Sequence, residues 1–235
     1  MTGSRWMLLI LSLLLSGCGS APDRDSPIKT RQFQVDDIAR SDVDMVAESQ
    51  LRFTMEYLQE LMEKLYRRNP REWRAGGAES LEQAVERVFG NGRTDQFPEL
   101  QQKRGTDAVM LAFDEAYQGD RVLAFVEGLR GMILEAHNGK QSFYLTDELD
   151  PQKLYNAARN LEIAAWKLSH TRDSAGRLFL VSNQTEGPVI NLSYERLFGK
   201  LIALQDGMAR VIAQSTNRRI KTIIQSVASA VFMPI

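Results

Sequence analysis

The sequence is poor in the residues that build covalent and metal-based sites. It holds one cysteine and two histidines in 235 residues. One cysteine excludes a disulfide framework and a thiolate zinc site, and two histidines leave few ligands for a histidine-based metal centre. Sixteen glycines and seven prolines are too few for a fibrous protein. No predominantly apolar run approaches the roughly 20 residues that a membrane-spanning helix requires.

The sequence also lacks an excess of charge of one sign. Its 29 basic and 30 acidic residues give a formal net charge of −1, so the bulk charge does not indicate a nucleic-acid partner. Hydrophobic residues make up 43% and charged residues 25% of the chain, which is close to the average for globular proteins. The composition therefore predicts a folded protein.

A short apolar run occupies residues 6–15, after one basic residue. Ten residues is the length of a signal-peptide hydrophobic region and is too short to span a bilayer. The run ends in Leu15-Ser16-Gly17-Cys18, and Cys18 is the single cysteine. These four residues resemble the lipobox of bacterial lipoproteins. The alternative interpretation is an ordinary signal peptide in which the cysteine falls at this position by chance.

The resemblance implies that a diacylglyceryl group is added to the sulfur of Cys18, that the chain is cleaved after Gly17, and that the new α-amino group is acylated. Three acyl chains, each contributing about 0.8 kcal/mol per buried CH₂, anchor a protein stably. The expected location is the bacterial cell envelope, with the membrane as a partner through the lipid on Cys18. Gly19 follows the cysteine where retention at the inner membrane would favour aspartate, so the resemblance favours the outer membrane, facing the periplasm.

The remainder of the chain divides into two parts. Residues 1–17 are the predicted signal peptide, and residues 18–35 are polar, contain Pro22 and Pro27, and are predicted to form a flexible tether. Residues 36–235 show repeated helical periodicity of apolar side chains. We therefore predict a single, mainly α domain of about six or seven helices.

Capping patterns predict where several helices begin. Ser41 with Asp44 and Ser80 with Gln83 are capping pairs, in which a side chain accepts a hydrogen bond from a free backbone N–H. Asp120 and Asp150 are predicted N-caps of two further helices. The predicted helices cover residues 41–69, 80–90, 106–117, 120–137 and 150–169, and a further helix begins at 193. One small β-hairpin is predicted near residues 177–191, because an apolar run at 178–181 is followed by a Gly-Pro turn and a second short apolar run.

Two groups of basic residues are candidate contacts for an anion or a partner. The first follows the end of the first predicted helix, where cations also complement the negative end of the helix dipole. The second lies either inside one continuous helix over 193–231 or at the start of a new helix, where free N–H groups favour anions. The candidate residues are Arg67, Arg68, Arg71, Arg218, Arg219 and Lys221.

No catalytic constellation is present in the sequence. It lacks Glu-x-x-His pairs, His-Glu-x-x-His, a Walker loop, a dinucleotide glycine fingerprint and a Gly-x-Ser-x-Gly elbow. We therefore predict no catalytic residue, no metal and no cofactor. Gly128 and Gly131 are predicted to allow close helix packing.

The favoured interpretation is a non-enzymatic lipoprotein that binds an envelope protein partner or helps to assemble an envelope complex. Two alternatives stay open. A cell-wall hydrolase needs only two carboxylates, and a carrier of an apolar ligand needs a cavity between helices, which the nine methionines could line.

The lipid anchor is tested by replacing its attachment atom. We expect Cys18→Ser to accumulate as an unprocessed or soluble protein, because a hydroxyl does not accept the diacylglyceryl group. Fractionation of cells followed by detergent phase partitioning measures the change. Membrane association of the serine variant that survives a salt wash would place the anchor elsewhere.

Overall fold

The computed structural model describes residues 41–90, 96–144, 147–184, 188 and 190–215. This part of the chain is mainly helical, as predicted, and contains seven α-helices. The predicted signal peptide and tether, and the candidate residues Arg218, Arg219 and Lys221, lie outside the described residues. The elements are α1 Asp42–Arg68, α2 Pro70–Ala75, α3 Leu81–Phe89, a 3-10 turn Pro98–Leu100, α4 Gly105–Leu111, α5 Arg121–Ala136, α6 Pro151–His170 and α7 Ser193–Ser215.

Helix α1 begins and ends where its sequence signals place it. The Asp44 backbone N–H donates to the Ser41 hydroxyl oxygen at 3.2 Å, and the Ser41 N–H donates to the Asp44 carboxylate at 2.8 Å, which completes a capping box. At the other end, Asn69 caps the helix and Pro70 opens α2. The predicted caps Ser80, Asp120 and Asp150 also accept hydrogen bonds from the first turns of α3, α5 and α6.

Helix α5 lies at the centre of the described fold. It packs against α1, α4 and α6, and its buried residues cover most of the helix circumference, as expected of a helix largely enclosed by others. One stripe, with Glu127, Gly131, Leu134 and Glu135, is not buried. Asn138 and Gly139, both with positive φ, turn the chain away after its last residue. The buried residues of α5 are Val122, Leu123, Ala124, Phe125, Val126, Gly128, Leu129, Arg130, Met132, Ile133 and Ala136.

Helix α4 packs closely on α5 through glycine, which confirms the predicted role for Gly128 and not for Gly131. A Cβ atom at Gly128 would lie 2.6 Å from the backbone nitrogen of Val109 and 2.8 Å from the carbonyl oxygen of Gly105. At Gly131 the nearest atom to a Cβ would be the Gly105 nitrogen, at 3.5 Å. The backbones therefore approach one another most closely at Gly128.

Helix α4 is shorter than the sequence pattern predicted. The prediction extended it to residue 117, whereas it ends at Leu111 and turns follow. The Arg121 guanidinium donates hydrogen bonds to the carbonyl oxygens of Ala112, Asp114 and Tyr117 at 2.6–2.9 Å. Since these carbonyls bond to a side chain instead of later backbone N–H groups, the turn is stable without a continued helix.

Helix α7 runs antiparallel to α1. The Tyr194 hydroxyl donates to the Lys64 carbonyl oxygen at 2.8 Å, and the Gln205 amide donates to the Thr54 hydroxyl at 3.3 Å. A later residue of α7 thus meets an earlier residue of α1. Apolar side chains of α7, including Leu201, complete the core on this side.

The predicted β-hairpin near 177–191 is wrong. Among the described residues of this region there are isolated bridges, Arg172 with Leu178 and Gln184 with Asn191, and no strand. The Asn69 side chain bonds the backbone of Val181 twice: the Val181 N–H donates to Asn69 Oδ1 at 2.8 Å, and Asn69 Nδ2 donates to the Val181 oxygen at 2.9 Å. A side-chain amide therefore takes the place of a neighbouring strand, and Leu180 is buried in the helical core.

The two α5 glycines form a matched pair for testing the packing. We expect Gly128→Ala to lower the free energy of unfolding by about 1–3 kcal/mol, because the methyl group overlaps the α4 backbone. Gly131→Ala should be neutral or stabilising by up to about 1 kcal/mol, because alanine favours a helix over glycine. Urea unfolding monitored by circular dichroism measures both, and equal effects at the two positions would contradict this packing.

Candidate functional site

Two clefts in the described structure carry polar and charged side chains. The first, here called the Asp120 cleft, has a volume of about 450 Å³. It lies between the turn after α2, helix α3 and the residues before α5, and Arg87 and Glu99 form an ion pair of 2.6 Å at its edge. Its lining residues are Ala75, Gly76, Gly77, Ala78, Gln83, Arg87, Glu99, Gly119 and Asp120.

Asp120 is a buried carboxyl group, with 2% of its surface exposed. It caps α5 by accepting the Leu123 N–H at 2.9 Å, and it accepts the Tyr66 hydroxyl of α1 at 2.8 Å. A Cβ atom at Gly76 would lie 2.9 Å from one of its oxygens. The carboxyl group therefore joins α1, α5 and the turn after α2, and glycine allows that turn to approach it.

Burial dominates the electrostatics of this group. Desolvation raises the pKa of Asp120 to about 6, although the hydrogen bonds from Leu123 and Tyr66 act in the opposite direction. Glu72, which accepts the Arg121 N–H at 2.8 Å, also has a raised pKa because it is desolvated. Burial likewise raises the pKa of Tyr66, with the neighbouring Asp120 charge adding to the shift. The arrangement favours neutral side chains around the start of α5.

The second cleft, here called the α5 groove, is larger, with a volume of about 1180 Å³. It is partly open to solvent and lies between residues 96–105 and the exposed side of α5, and the first turn of α6 adds one residue. Its apolar side chains are Phe97, Pro98, Leu100, Ala108 and Leu134, its charged side chains are Lys103, Arg104, Glu127, Arg130, Glu135 and Lys153, and its other residues are Gln96, Gln102, Gly105, Gly131, Asn138 and Gly139.

One charged pair of the groove is buried. Arg130 is 4% exposed, and its Nη1 donates to both carboxylate oxygens of Glu127, at 2.9 and 3.1 Å. The other cations differ: Lys103, Arg104 and Lys153 have no ion-pair partner among the described residues. The groove thus carries positive charge at Lys103, Arg104 and Lys153, whereas the charges of Arg130 and Glu127 compensate each other.

The backbone before α4 adopts an uncommon conformation at the edge of the groove. Gln101 and Gln102 have φ of 53° and 63°, and Gly105 has φ of 52°. A residue other than glycine in this left-handed region costs about 1–2 kcal/mol. Hydrogen bonds from the Gln101 N–H to Pro98 at 3.0 Å and from the Lys103 N–H to Leu100 at 2.9 Å hold the turn. The surrounding fold therefore imposes a strained turn that carries Lys103 and Arg104, and backbone strain of this kind concentrates at functional sites.

The first basic group predicted from the sequence does not line either cleft. Arg67, exposed at the end of α1, forms an i,i+4 ion pair with Glu63 at 3.0 Å, and Arg71 is exposed on α2. Arg68 lies in the last turn of α1. The positions of Arg67 and Arg68 fit the interaction of cations with the negative end of a helix, whereas Arg71 lies in the first turn of α2.

The two histidines are separated. His137 is buried, its Nδ1 lies 2.8 Å from the Ile133 carbonyl oxygen, and burial lowers its pKa. His170 ends α6 and stacks on Trp166 with ring centroids 5.0 Å apart. Among the described residues, no three His, Cys, Asp or Glu side chains form a group that could hold a metal ion.

Local sequence patterns did not predict the α5 groove. The sequence held a local signal for one residue, Arg130. It lies among apolar residues of a predicted helix, and an acidic residue, Glu127, precedes it by three positions. For Lys103 and Lys153 no local signal exists, since they lie 50 residues apart in the sequence and line the same groove only in the folded protein. Asp120 was predicted as a helix cap and not as a buried carboxyl group.

Comparison of this chain with protein-family models, with curated proteins and with solved structures found no match. None of the described helices is both long enough and apolar enough to cross a membrane.

The raised pKa of Asp120 predicts a pH dependence of stability. Because the folded protein binds a proton at Asp120 up to about pH 6 and the unfolded chain only to about pH 4, stability falls as the pH rises through this interval. We expect Asp120→Asn to remove this loss of stability, because the amide keeps an oxygen that can cap α5. Between pH 4 and 7 the free energy of unfolding of the variant should therefore rise by roughly 2–3 kcal/mol relative to that of wild type. Urea unfolding at several pH values, with Glu56→Gln as control, measures it; parallel curves for Asp120→Asn and wild type would contradict the assignment.

Proposed function

We propose that the protein is a membrane-anchored envelope lipoprotein that binds a partner protein in the α5 groove and acts as a non-enzymatic assembly factor. The groove is the observation that carries the binding part of this proposal. Its volume of about 1180 Å³ exceeds the roughly 300–1,000 Å³ typical of small-molecule sites. A segment of a protein fills such a space better than a compact metabolite.

The chemistry of the groove supports a protein partner. Pro98 and Leu134 provide accessible apolar surface, and Phe97 and Leu100 are buried. Lys103 and Arg104 provide charge at the edge. An apolar centre with a polar rim is the usual composition of a protein–protein interface. The strained turn that carries the two cations adds rigidity, which lowers the entropy lost on binding.

The anchor part of the proposal depends on the sequence. The lipobox-like residues 15–18 follow a hydrophobic run of signal-peptide length, and the polar residues after Cys18 would separate the helical domain from the bilayer. Gly19 favours the outer membrane. A lipid anchor restricts the domain to one membrane surface, which raises its effective concentration toward other envelope proteins.

The carboxylates of the Asp120 cleft support the hydrolase alternative less well. A pKa near 6 suits a general acid, yet one Asp120 oxygen caps α5 and the other accepts the Tyr66 hydroxyl. Glu99, the other carboxylate that lines the cleft, forms an ion pair with Arg87 at 2.6 Å. These carboxyl groups stabilise the joint between helices, and the hydrolase stays a prediction, as does the carrier of an apolar ligand.

Site-specific crosslinking in cells tests the proposed function. A photoreactive amino acid at Glu135, on the side of α5 that lines the groove, should give a discrete adduct with an envelope protein. The same amino acid at Glu56, an exposed glutamate of α1, is the matched control. Adducts that are identical at the two positions, or absent at Glu135, would contradict binding in the groove.

A further inference from the structure

We propose that the α5 groove recognises an acidic segment of polypeptide, in which carboxylates alternate with apolar side chains. This inference rests on the proposed function, because it names the chemistry of the partner that the groove binds. It depends on the charges around the groove, on its apolar surface and on the turn before α4.

The charge balance of the groove is opposite to that of the whole chain. The chain has a formal net charge of −1, whereas the groove is lined by four cations and two carboxylates. Arg130 and Glu127 pair with each other at 2.9 Å, so their charges compensate. Lys103, Arg104 and Lys153 then face one further carboxylate, Glu135, and an acidic partner supplies the charges that are missing.

The three cations come from two separate elements. Lys103 and Arg104 precede α4, and Lys153 lies in the first turn of α6. Two cationic positions on different parts of the groove match a chain that carries several carboxylates better than they match one compact anion. Carboxylates bound near cations also gain association rate and specificity from charge complementarity.

The apolar surface of the groove favours a partner that carries apolar side chains as well as negative charge. Pro98 is exposed and Leu134 is half-buried, so both would stay hydrated beneath a simple polyanion, and burial of apolar surface is the main favourable contribution to association. A polypeptide supplies apolar side chains between its carboxylates. It also supplies backbone donors and acceptors, which the exposed amide of Gln102 at the groove edge can bond.

The turn before α4 fixes where the cations lie. Gln101 and Gln102 both have positive φ, and hydrogen bonds of 3.0 and 2.9 Å link this turn to Pro98 and Leu100. The two cations therefore follow directly from a rigid, strained turn and not from a free loop. A fixed backbone position for the two residues favours a specific ligand over general attraction of anions.

A peptide selection on the purified full chain tests the inference. Displayed random dodecapeptides are selected on wild type and on the double variant Lys103→Glu with Arg104→Glu. We expect peptides selected on wild type to be enriched in Asp, Glu and large apolar residues. The affinity of the leading peptide, measured by fluorescence anisotropy, should fall at least about tenfold in the double variant, since like charges then face each other across the groove.

The control has the same change of charge elsewhere. Arg196→Glu with Arg210→Glu replaces two exposed cations of α7 and should leave the affinity within about twofold. An equal loss in both double variants would show attraction by total charge only and would overturn the inference. Vesicles containing phosphatidylglycerol form a separate arm, and binding of these vesicles that depends on Lys103 and Arg104, without binding of acidic peptides, would also overturn it.

Two other outcomes separate this inference from the proposed function. Neutral or basic peptides whose binding is lost when Leu134→Asp is introduced into the groove would leave the proposed function intact and overturn the acidic partner. A selection that yields no peptide dependent on any groove residue would contradict both.

Discussion

The burial of α5 on every side but the one that lines the groove is the constraint on which the rest of the structure depends. A helix surrounded by protein cannot leave its first N–H groups to water, so a side chain must accept them. Asp120 does so at Leu123 and is itself buried as a result. The free-energy cost of burying the carboxyl group is offset by its hydrogen bonds. One of them, from the Tyr66 hydroxyl, also links α1 to the start of α5.

The same helix connects the two clefts. Its N-terminus forms the wall of the Asp120 cleft, and the side that carries Glu127, Arg130 and Leu134 forms the wall of the α5 groove. Helix α4 reaches the groove because Gly128 lets its backbone approach α5. The groove is therefore supported by rigid packing and is not a gap between loosely joined elements, which suits a binding surface.

The sequence predicted the elements better than it predicted the sites. Caps such as Ser41 and Asp120 act within one turn, so local spacing reveals them. The predicted hairpin failed because an apolar run at 178–181 looks the same whether it pairs with a strand or docks on a helix. Its partner, the side chain of Asn69, lies over a hundred residues away. The α5 groove was not predicted for a similar reason, since Lys103 and Lys153 belong to different elements and only the fold brings them together.

Hydrogen–deuterium exchange of the full chain, with and without a bound acidic peptide, tests most directly the claim that the α5 groove is the binding surface. We expect slower exchange of backbone amides in residues 98–111 and 127–139 on binding, because the peptide covers these two walls. Exchange in α1 and α7 should change little. Protection that appears on α7 or at Arg67 and Arg71 instead, with the groove unchanged, would contradict the account.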